Sequence, residues 1–142
     1  MFIGQYEHNL EAKGRLSIPS KFRAQLDGGA VLSQGLDGCL FLYPKTIWDS
    51  LITKLSQLPL TKETARSFTR SLSYGAADVE IDSLGRILVP DYLREFSGLK
   101  SVCIIAGAID RVEIWDKSKF VSYTAVINSH REEIAEKLDL LP

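Results

Sequence analysis

Two short segments of this sequence hold the residue types best suited to binding an anionic or hydrogen-bonding ligand. Residues 11–15 read EAKGR and residues 82–86 read DSLGR; we call them the first loop and the second loop. In each, an arginine follows a glycine, and its guanidinium offers forked donors that suit a phosphate group or a guanine edge. The glycine lets the backbone approach a ligand closely. The candidate binding residues are Glu11, Lys13, Gly14 and Arg15 in the first loop and Asp82, Gly85 and Arg86 in the second.

The acidic residue of each loop has two possible roles. Glu11 stands four positions before Arg15, and Asp82 stands four positions before Arg86. Each carboxylate is therefore placed to hold its arginine ready for a ligand. The alternative is a purely structural role, in which both pairs are ion pairs that only close their loops.

Both loops lie inside a longer internal repeat. Counting 71 positions onwards from the first copy aligns similar residue types in the second. The aligned pairs include Gly4 and Gly75, Leu10 and Ile81, Glu11 and Asp82, Gly14 and Gly85, Arg15 and Arg86, Ile18 and Val89, Pro19 and Pro90, and Arg23 and Arg94. One inserted residue later, residues 40–43 align with 112–115. This agreement indicates a duplicated unit of about 45 residues, each copy followed by helices.

Each copy predicts the same order of elements. Short strands flank the Gly-Arg loop, a proline starts a short helix, and two further strands complete the unit. Four short strands cannot form a stable core, so the two copies must pack on each other. The short helices carry Arg23 and Arg94, for which we expect helix packing or ion pairing rather than ligand contact. The predicted boundaries are 5–47 for the first module, 76–119 for the second, and 48–75 and 120–142 for the helical connector and C-terminal helices.

The predicted connector helices are amphipathic. Trp48, Leu51 and Leu55 recur at helical spacing in the first of them, and Phe68 lies in the second. These apolar stripes fit either the core of the same chain or a surface that contacts neighbouring subunits. The sequence leaves both alternatives open.

Composition narrows the class of protein. The chain has 142 residues, 45% hydrophobic and 25% charged, as in globular proteins. It shows neither a membrane-span pattern nor a signal-peptide pattern, so we expect a cytoplasmic protein.

Cys39 and Cys103 lack the spacing of a metal or disulfide motif, so we expect two buried thiols, no metal and no cofactor. The formal net charge of −1 argues mildly against a nucleic-acid ligand.

These motifs together resemble the MraZ family. The resemblance rests on the tandem Asp/Glu-x-x-Gly-Arg motifs, each followed by Leu/Ile-x-Ile/Val-Pro-x-x-Phe/Leu-Arg, and on the segments Met-Phe-x-Gly, Leu-Tyr-Pro and Ile-Trp-Asp. It covers nearly the whole chain. It implies a mainly β fold with helices (α+β), in which two swapped-hairpin modules of the SpoVT/AbrB type form a pseudo-dimeric barrel.

The resemblance also implies which residues contact DNA. In the family, a motif that consists of an acidic residue and an arginine contacts the DNA. In this chain the motif corresponds to Glu11 with Arg15 and to Asp82 with Arg86. Glu11 departs from the usual aspartate, and its extra methylene is expected to loosen any side-chain cap on the first loop.

The implied function is sequence-specific DNA binding by a transcriptional regulator. It would be a repressor of the division and cell-wall gene cluster that includes its own gene, acting at the nucleoid. Its partners would be direct repeats in double-stranded DNA and further copies of itself, in a ring such as an octamer, with no membrane and no small-molecule substrate. A ring that presents many weak basic loops gains affinity through effective concentration, which reconciles a near-neutral chain with DNA.

Two other classes of function compete with this one. An enzyme finds little support, because His8, His130 and Ser17 lack the partners that make a metal site or a catalytic triad. A ring-forming scaffold that binds another protein is the stronger alternative. Its binding would be insensitive to salt and to the loop arginines, unlike DNA binding.

The two loops also differ in charge. Residues 11–26 hold four basic residues against one acidic residue, a net +3, whereas residues 82–97 hold two against three, a net −1. Leu84 replaces Lys13 at the matching position, and we expect it to pack inward. We therefore predict that the first loop makes most of the DNA contact, with Arg15 reading or clamping DNA and Lys13 attracting phosphate. The second loop would mainly support the fold.

Overall fold

The computed structural model describes residues 1–139 as eight strands and six α-helices. The strands are β1 (Gln5–Asn9), β2 (Arg15–Ser17), β3 (Ala30–Gln34), β4 (Leu40–Pro44), β5 (Ala77–Val79), β6 (Arg86–Leu88), β7 (Val102–Gly107) and β8 (Val112–Asp116). The helices are α1 (Ser20–Leu26), α2 (Lys45–Ser56), α3 (Glu63–Tyr74), α4 (Asp91–Ser97), α5 (Lys117–Ser129) and α6 (Arg131–Leu138). A 3-10 turn, Ala12–Gly14, lies in the first loop.

The elements recur with the spacing of the sequence repeat. Adding 71 to the bounds of β2 and α1 gives those of β6 and α4, and adding 72 to the bounds of β4 gives those of β8. Pro19 and Pro90 directly precede α1 and α4. Their fixed φ suits a helix start. The N–H group that proline lacks would have no intrahelical partner at that position. The predicted duplication is therefore confirmed in the order of the elements and in the spacing of these three pairs.

Most strand pairing joins one copy of the repeat to the other. The main sheet has six antiparallel strands in the order β1-β7-β8-β4-β3-β5. Among the described residues, only β3 with β4 and β7 with β8 pair inside one copy. In this sheet β1 corresponds to β5, β3 to β7 and β4 to β8 in the other copy. Replacing each strand by its counterpart gives the same strand order read in reverse, so a pseudo-twofold axis passes between β4 and β8.

A separate two-stranded ribbon, formed by β2 and β6, follows the same symmetry. Its register places Leu16 opposite Ile87, and both side chains are buried. Side chains alternate between the two faces of a strand. Arg15 and Arg86 therefore lie together on the outer face of the ribbon.

The main sheet separates two hydrophobic clusters. In β4, Leu40 and Leu42 belong to the cluster under the ribbon, α1 and α4, whereas Phe41 and Tyr43 belong to the cluster under α2, α3 and α5. Each fully buried leucine contributes about 1.5–3 kcal/mol relative to an exposed one. The inner strands β3, β4, β7 and β8 are largely buried on both faces, because helices or the ribbon cover both faces there, whereas the edge strand β1 alternates between exposed and half-buried residues.

The expected α+β class is confirmed, although the helices contribute more residues than the strands. The predicted barrel is not found, because residues 1–139 form an open sheet and a separate ribbon. Cys39 and Cys103 are buried free thiols, as expected. Burial raises the pKa of Cys39 to about 12 and that of Cys103 to about 11, so both stay protonated near neutral pH. No helix in residues 1–139 is both long and apolar enough to cross a membrane.

The cross-copy pairing predicts that one copy cannot fold as a monomer. Residues 1–75 alone would lose the partners of β1 and β2, and β3 and β4 would each keep one partner instead of two. We expect this fragment to be unfolded or to form a dimer that restores the pairing, as measured by circular dichroism and analytical ultracentrifugation. The full chain is the control, and a folded monomeric fragment would contradict the prediction.

Candidate nucleic-acid interface

The ribbon brings the first and second loops to the same place on the molecule. Each loop leads directly into one ribbon strand, and the two strands are antiparallel neighbours. The Arg86 Nη1 atom lies 2.8 Å from the Glu11 Oε2 atom, although 75 positions separate the residues in sequence. The structure therefore joins the two candidate segments into a single surface.

The same backbone hydrogen bonds close both loops into tight turns. In the first loop the Glu11 N–H donates to the Arg15 carbonyl at 2.8 Å, and the Gly14 N–H donates to the Glu11 carbonyl at 3.1 Å. The second loop repeats both bonds between the equivalent residues, at 2.9 and 3.0 Å. The glycines adopt positive φ, 85° at Gly14 and 81° at Gly85, which residues with a Cβ rarely adopt. The glycine spacing in the sequence therefore reflects a requirement of the turn.

The second loop carries an additional side-chain clamp. The Asp82 Oδ1 atom accepts hydrogen bonds of 2.9 Å from the backbone N–H groups of Leu84 and Arg86. Its Oδ2 atom accepts a 3.1 Å bond from the Arg86 Nε atom. The expected Asp82–Arg86 pair is therefore present, and the same carboxylate also orders the backbone of its loop.

The first loop differs from this arrangement. Glu11 makes no side-chain cap on its own turn, and its carboxylate pairs with Arg86 of the other copy. The expected Glu11–Arg15 pair is therefore absent, because the longer glutamate reaches across the ribbon. Within residues 1–139, Arg15 has no carboxylate partner, whereas Arg86 contacts two.

Hydrogen bonding shifts the pKa values of the second-loop pair. The backbone N–H of Arg86 is the main cause that lowers the pKa of Asp82, with the Leu84 N–H and the Arg86 side chain acting in the same direction. The hydrogen bond that the Arg86 guanidinium donates to the Glu11 carboxylate is the main cause that raises the pKa of Arg86. Arg86 is therefore held as a cation between two carboxylates, which neutralises much of its charge.

Lys13 and Leu84 occupy equivalent places at the loop tips. Both are exposed, so the expectation that Leu84 packs inward is wrong; its exposed fraction is 67%. Leu84 belongs to neither of the two hydrophobic clusters. The first loop thus presents a cation at its tip where the second presents an apolar side chain.

Arg23 and Arg94 make the packing and ion-pair contacts expected of them. The Arg23 Nε atom donates to the Ile18 carbonyl at 2.7 Å, and Arg94 pairs with Asp91. Neither arginine lies on the outer face of the ribbon.

Sequence reasoning missed the bonds that cross between the copies. The Val89 N–H donates to the Gly14 carbonyl at 2.8 Å, and the Ile18 N–H donates to the Gly85 carbonyl at 2.9 Å. The available signal was the repeat itself, because two similar strand-loop units related by a pseudo-twofold axis can pair through their equivalent strands. Each loop is consequently held by the residue that precedes the proline of the other copy.

Comparison with known proteins identifies relatives along the whole chain. The family model described as "MraZ protein, putative antitoxin-like" matches twice, at residues 1–71 and 72–141. A protein of Acetivibrio thermocellus called transcriptional regulator MraZ is 49% identical over 141 residues, covering 99% of both chains. Proteins of the same name from Lactobacillus delbrueckii subsp. bulgaricus and Thermoanaerobacter pseudethanolicus are each 48% identical, with at least 97% of each chain covered. The similarity therefore extends over both copies of the repeat.

The lowered pKa of Asp82 predicts a pH-dependent contribution to stability. A carboxylate whose folded pKa is depressed stabilises fully above its unfolded pKa, about 3.9, and loses that effect as pH falls through the folded value. We expect Asp82→Ala to lower the melting temperature at pH 7, and the difference from the unsubstituted chain to shrink below about pH 4. Thermal melts between pH 2 and pH 8 measure this, with the exposed Asp78→Ala as control. A difference that is the same at every pH would contradict the prediction.

Proposed function

The chain belongs to the MraZ family, and from this membership we propose that it is a transcriptional regulator that binds double-stranded DNA through the outer face of the β2–β6 ribbon. The observation that carries the proposal is the pairing of two Gly-Arg loops on one surface, with one arginine that has no carboxylate partner within residues 1–139. An arginine on a short loop can reach a phosphate or a guanine edge. We propose regulation of transcription rather than catalysis, in keeping with the names of the relatives.

The first loop makes the principal DNA contact in this proposal. Arg15 is available for a phosphate or a base, and the exposed Lys13 adds attraction to the backbone. Arg86 is already engaged by Glu11 and Asp82, so its contact with DNA would require partial loss of those bonds. The net charge of +3 at residues 11–26, against −1 at residues 82–97, also favours the first loop as the principal DNA contact.

The protein acts as a homo-oligomeric ring in this proposal, with each chain built from two swapped-hairpin modules of the SpoVT/AbrB type. Trp48 and Leu55 are buried within the chain itself, so they do not serve a subunit interface. Other apolar side chains remain exposed on the helices and support association, among them Phe68, Val121, Val126, Ile134 and Leu138. A ring would place many first loops against direct repeats, and a chain of net charge −1 would then bind DNA through multivalency.

We further propose that the regulated genes are the division and cell-wall cluster that includes the protein's own gene, and that the protein represses it at the nucleoid in the cytoplasm. The family resemblance of both motifs supports this assignment. Binding-site selection with random duplexes would identify the repeat.

The two loop arginines are expected to differ in their roles. Arg15→Ala should weaken DNA binding by roughly 1–3 kcal/mol for each engaged base contact and leave stability and oligomer size unchanged. Arg86→Ala should weaken DNA binding less but lower the melting temperature, because it leaves Glu11 and Asp82 without their shared cation. DNA titration and thermal melting measure both effects, and Arg131→Ala controls for the loss of one exposed positive charge. Equal losses of affinity from Arg15→Ala and Arg86→Ala would refute the division of roles.

The proposed DNA contact also predicts a strong dependence on salt and on repeat number. A complex held by about six phosphate contacts should show a slope near −5 when the logarithm of the binding constant is plotted against that of the salt concentration. Affinity should rise from one repeat to four on duplexes of equal length. Fluorescence anisotropy measures both quantities. A flat salt response would favour a scaffold that binds another protein, and equal affinity for one and four repeats would count against multivalent binding.

A further inference from the structure

The glycine of each loop is packed against an arginine from the other copy of the repeat. A Cβ atom added at Gly14 would lie 2.8 Å from the Val89 carbonyl oxygen and 3.0 Å from the Arg94 Cζ atom. A Cβ atom added at Gly85 would overlap the Arg23 guanidinium. Both glycines are buried. Each guanidinium therefore lies directly against the opposite loop, at a place where only a glycine fits.

Arg94 is held in this position from its own helix. Its Nη2 atom pairs with Asp91, three residues earlier in α4. Its Nε atom is buried and has no hydrogen-bond partner within the described chain, which is unfavourable for a donor. Packing on Gly14 and the pair with Asp91 are the contacts that keep the side chain there.

The first loop depends on external support more than the second loop does. Asp82 clamps the second loop through two backbone N–H groups, and Glu11 provides no such clamp in the first. Lys13 also adopts a φ of 70°, an unfavourable conformation for a residue with a Cβ, whereas Leu84 does not have positive φ. A strained turn without an internal clamp needs contacts from outside to keep its shape.

We propose that Arg94 is a positioning residue for the first loop. From the second copy of the repeat, its guanidinium packs on Gly14 and keeps Lys13 and Arg15 in the geometry that binds DNA. Arg23 packs equivalently on Gly85, but the second loop is already ordered by Asp82. The two arginines occupy matching positions, yet only Arg94 is needed to keep the loop that it contacts in one conformation. The role in DNA binding rests on the proposed function, whereas the effect on loop order does not.

Hydrogen exchange of the full chain, followed by mass spectrometry, tests the effect on loop order. In Arg94→Ala we expect exchange in peptides that contain residues 11–15 to accelerate by roughly five- to tenfold, with residues 82–86 unchanged. The matched control, Arg23→Ala, should change residues 82–86 by less than about twofold and leave residues 11–15 unchanged. Unaltered exchange at residues 11–15 in Arg94→Ala, or equal acceleration there in Arg23→Ala, would overturn the proposal.

Two further variants separate positioning from a general loss of stability. Arg94→Lys keeps the charge beside Asp91 but lacks the planar group that packs on Gly14, so it should also accelerate exchange at residues 11–15. It serves in place of Arg94→Ala if that variant does not fold. Glu11→Asp introduces the residue type that clamps the second loop, and adding it to Arg94→Ala should restore protection of residues 11–15. Failure to restore any protection would show that the damage is not local to the loop and would contradict the positioning role.

DNA titration of the same variants tests the consequence for binding. Arg94→Ala should raise the dissociation constant by roughly five- to tenfold, and Arg23→Ala by less than about twofold, on one duplex that carries direct repeats. A larger loss in Arg23→Ala than in Arg94→Ala would overturn the proposal. If the unsubstituted protein binds no DNA, the proposed function fails, and the exchange measurements still decide whether Arg94 orders the first loop.

Discussion

The structure depends on strand pairing between the two copies of the repeat. A buried backbone N–H or carbonyl group without a partner costs free energy comparable to a lost hydrogen bond, so short strands must find neighbours. One copy supplies too few strands to satisfy them, and β1, β2 and β5 each pair only with a strand from the other copy among the described residues. This requirement produces the pseudo-twofold axis. It also places the ribbon, and therefore both Gly-Arg loops, where the two copies meet.

A symmetrical framework can hold functionally different loops because small side-chain changes alter the local electrostatics. Asp82 is short enough to accept bonds from its own turn, whereas Glu11 has one more methylene and pairs across the ribbon. The result is one arginine between two carboxylates and one arginine without a carboxylate partner in the described structure. The backbone hydrogen bonds of the two turns are equivalent, although Lys13 has a positive φ and Leu84 does not. The two copies therefore differ in the charge and in the ordering of their loops rather than in fold.

The overall charge of the chain is a poor guide to this surface. A net charge of −1 averages over acidic and basic residues that lie far from the ribbon. Exposed charges that are more than about 8 Å apart are largely screened from one another at physiological salt. The local arrangement around the loops is thus more informative than the total, and repetition of a modest local charge is a physical route to useful affinity.

The sequence by itself determined the features that depend on local spacing. The Gly-Arg loops, the short helices after Pro19 and Pro90 and the Asp82–Arg86 pair follow from residue types a few positions apart, and the duplication follows from matching residue types 71 or 72 positions apart. Only the tertiary structure decided that the sheet stays open, that Glu11 pairs with Arg86 and that Leu84 remains exposed. These features depend on the register of β2 against β6 and on which surfaces lie within reach of a side chain. Such contacts join residues about half the chain apart, and they are set by the packing of the two copies as a whole.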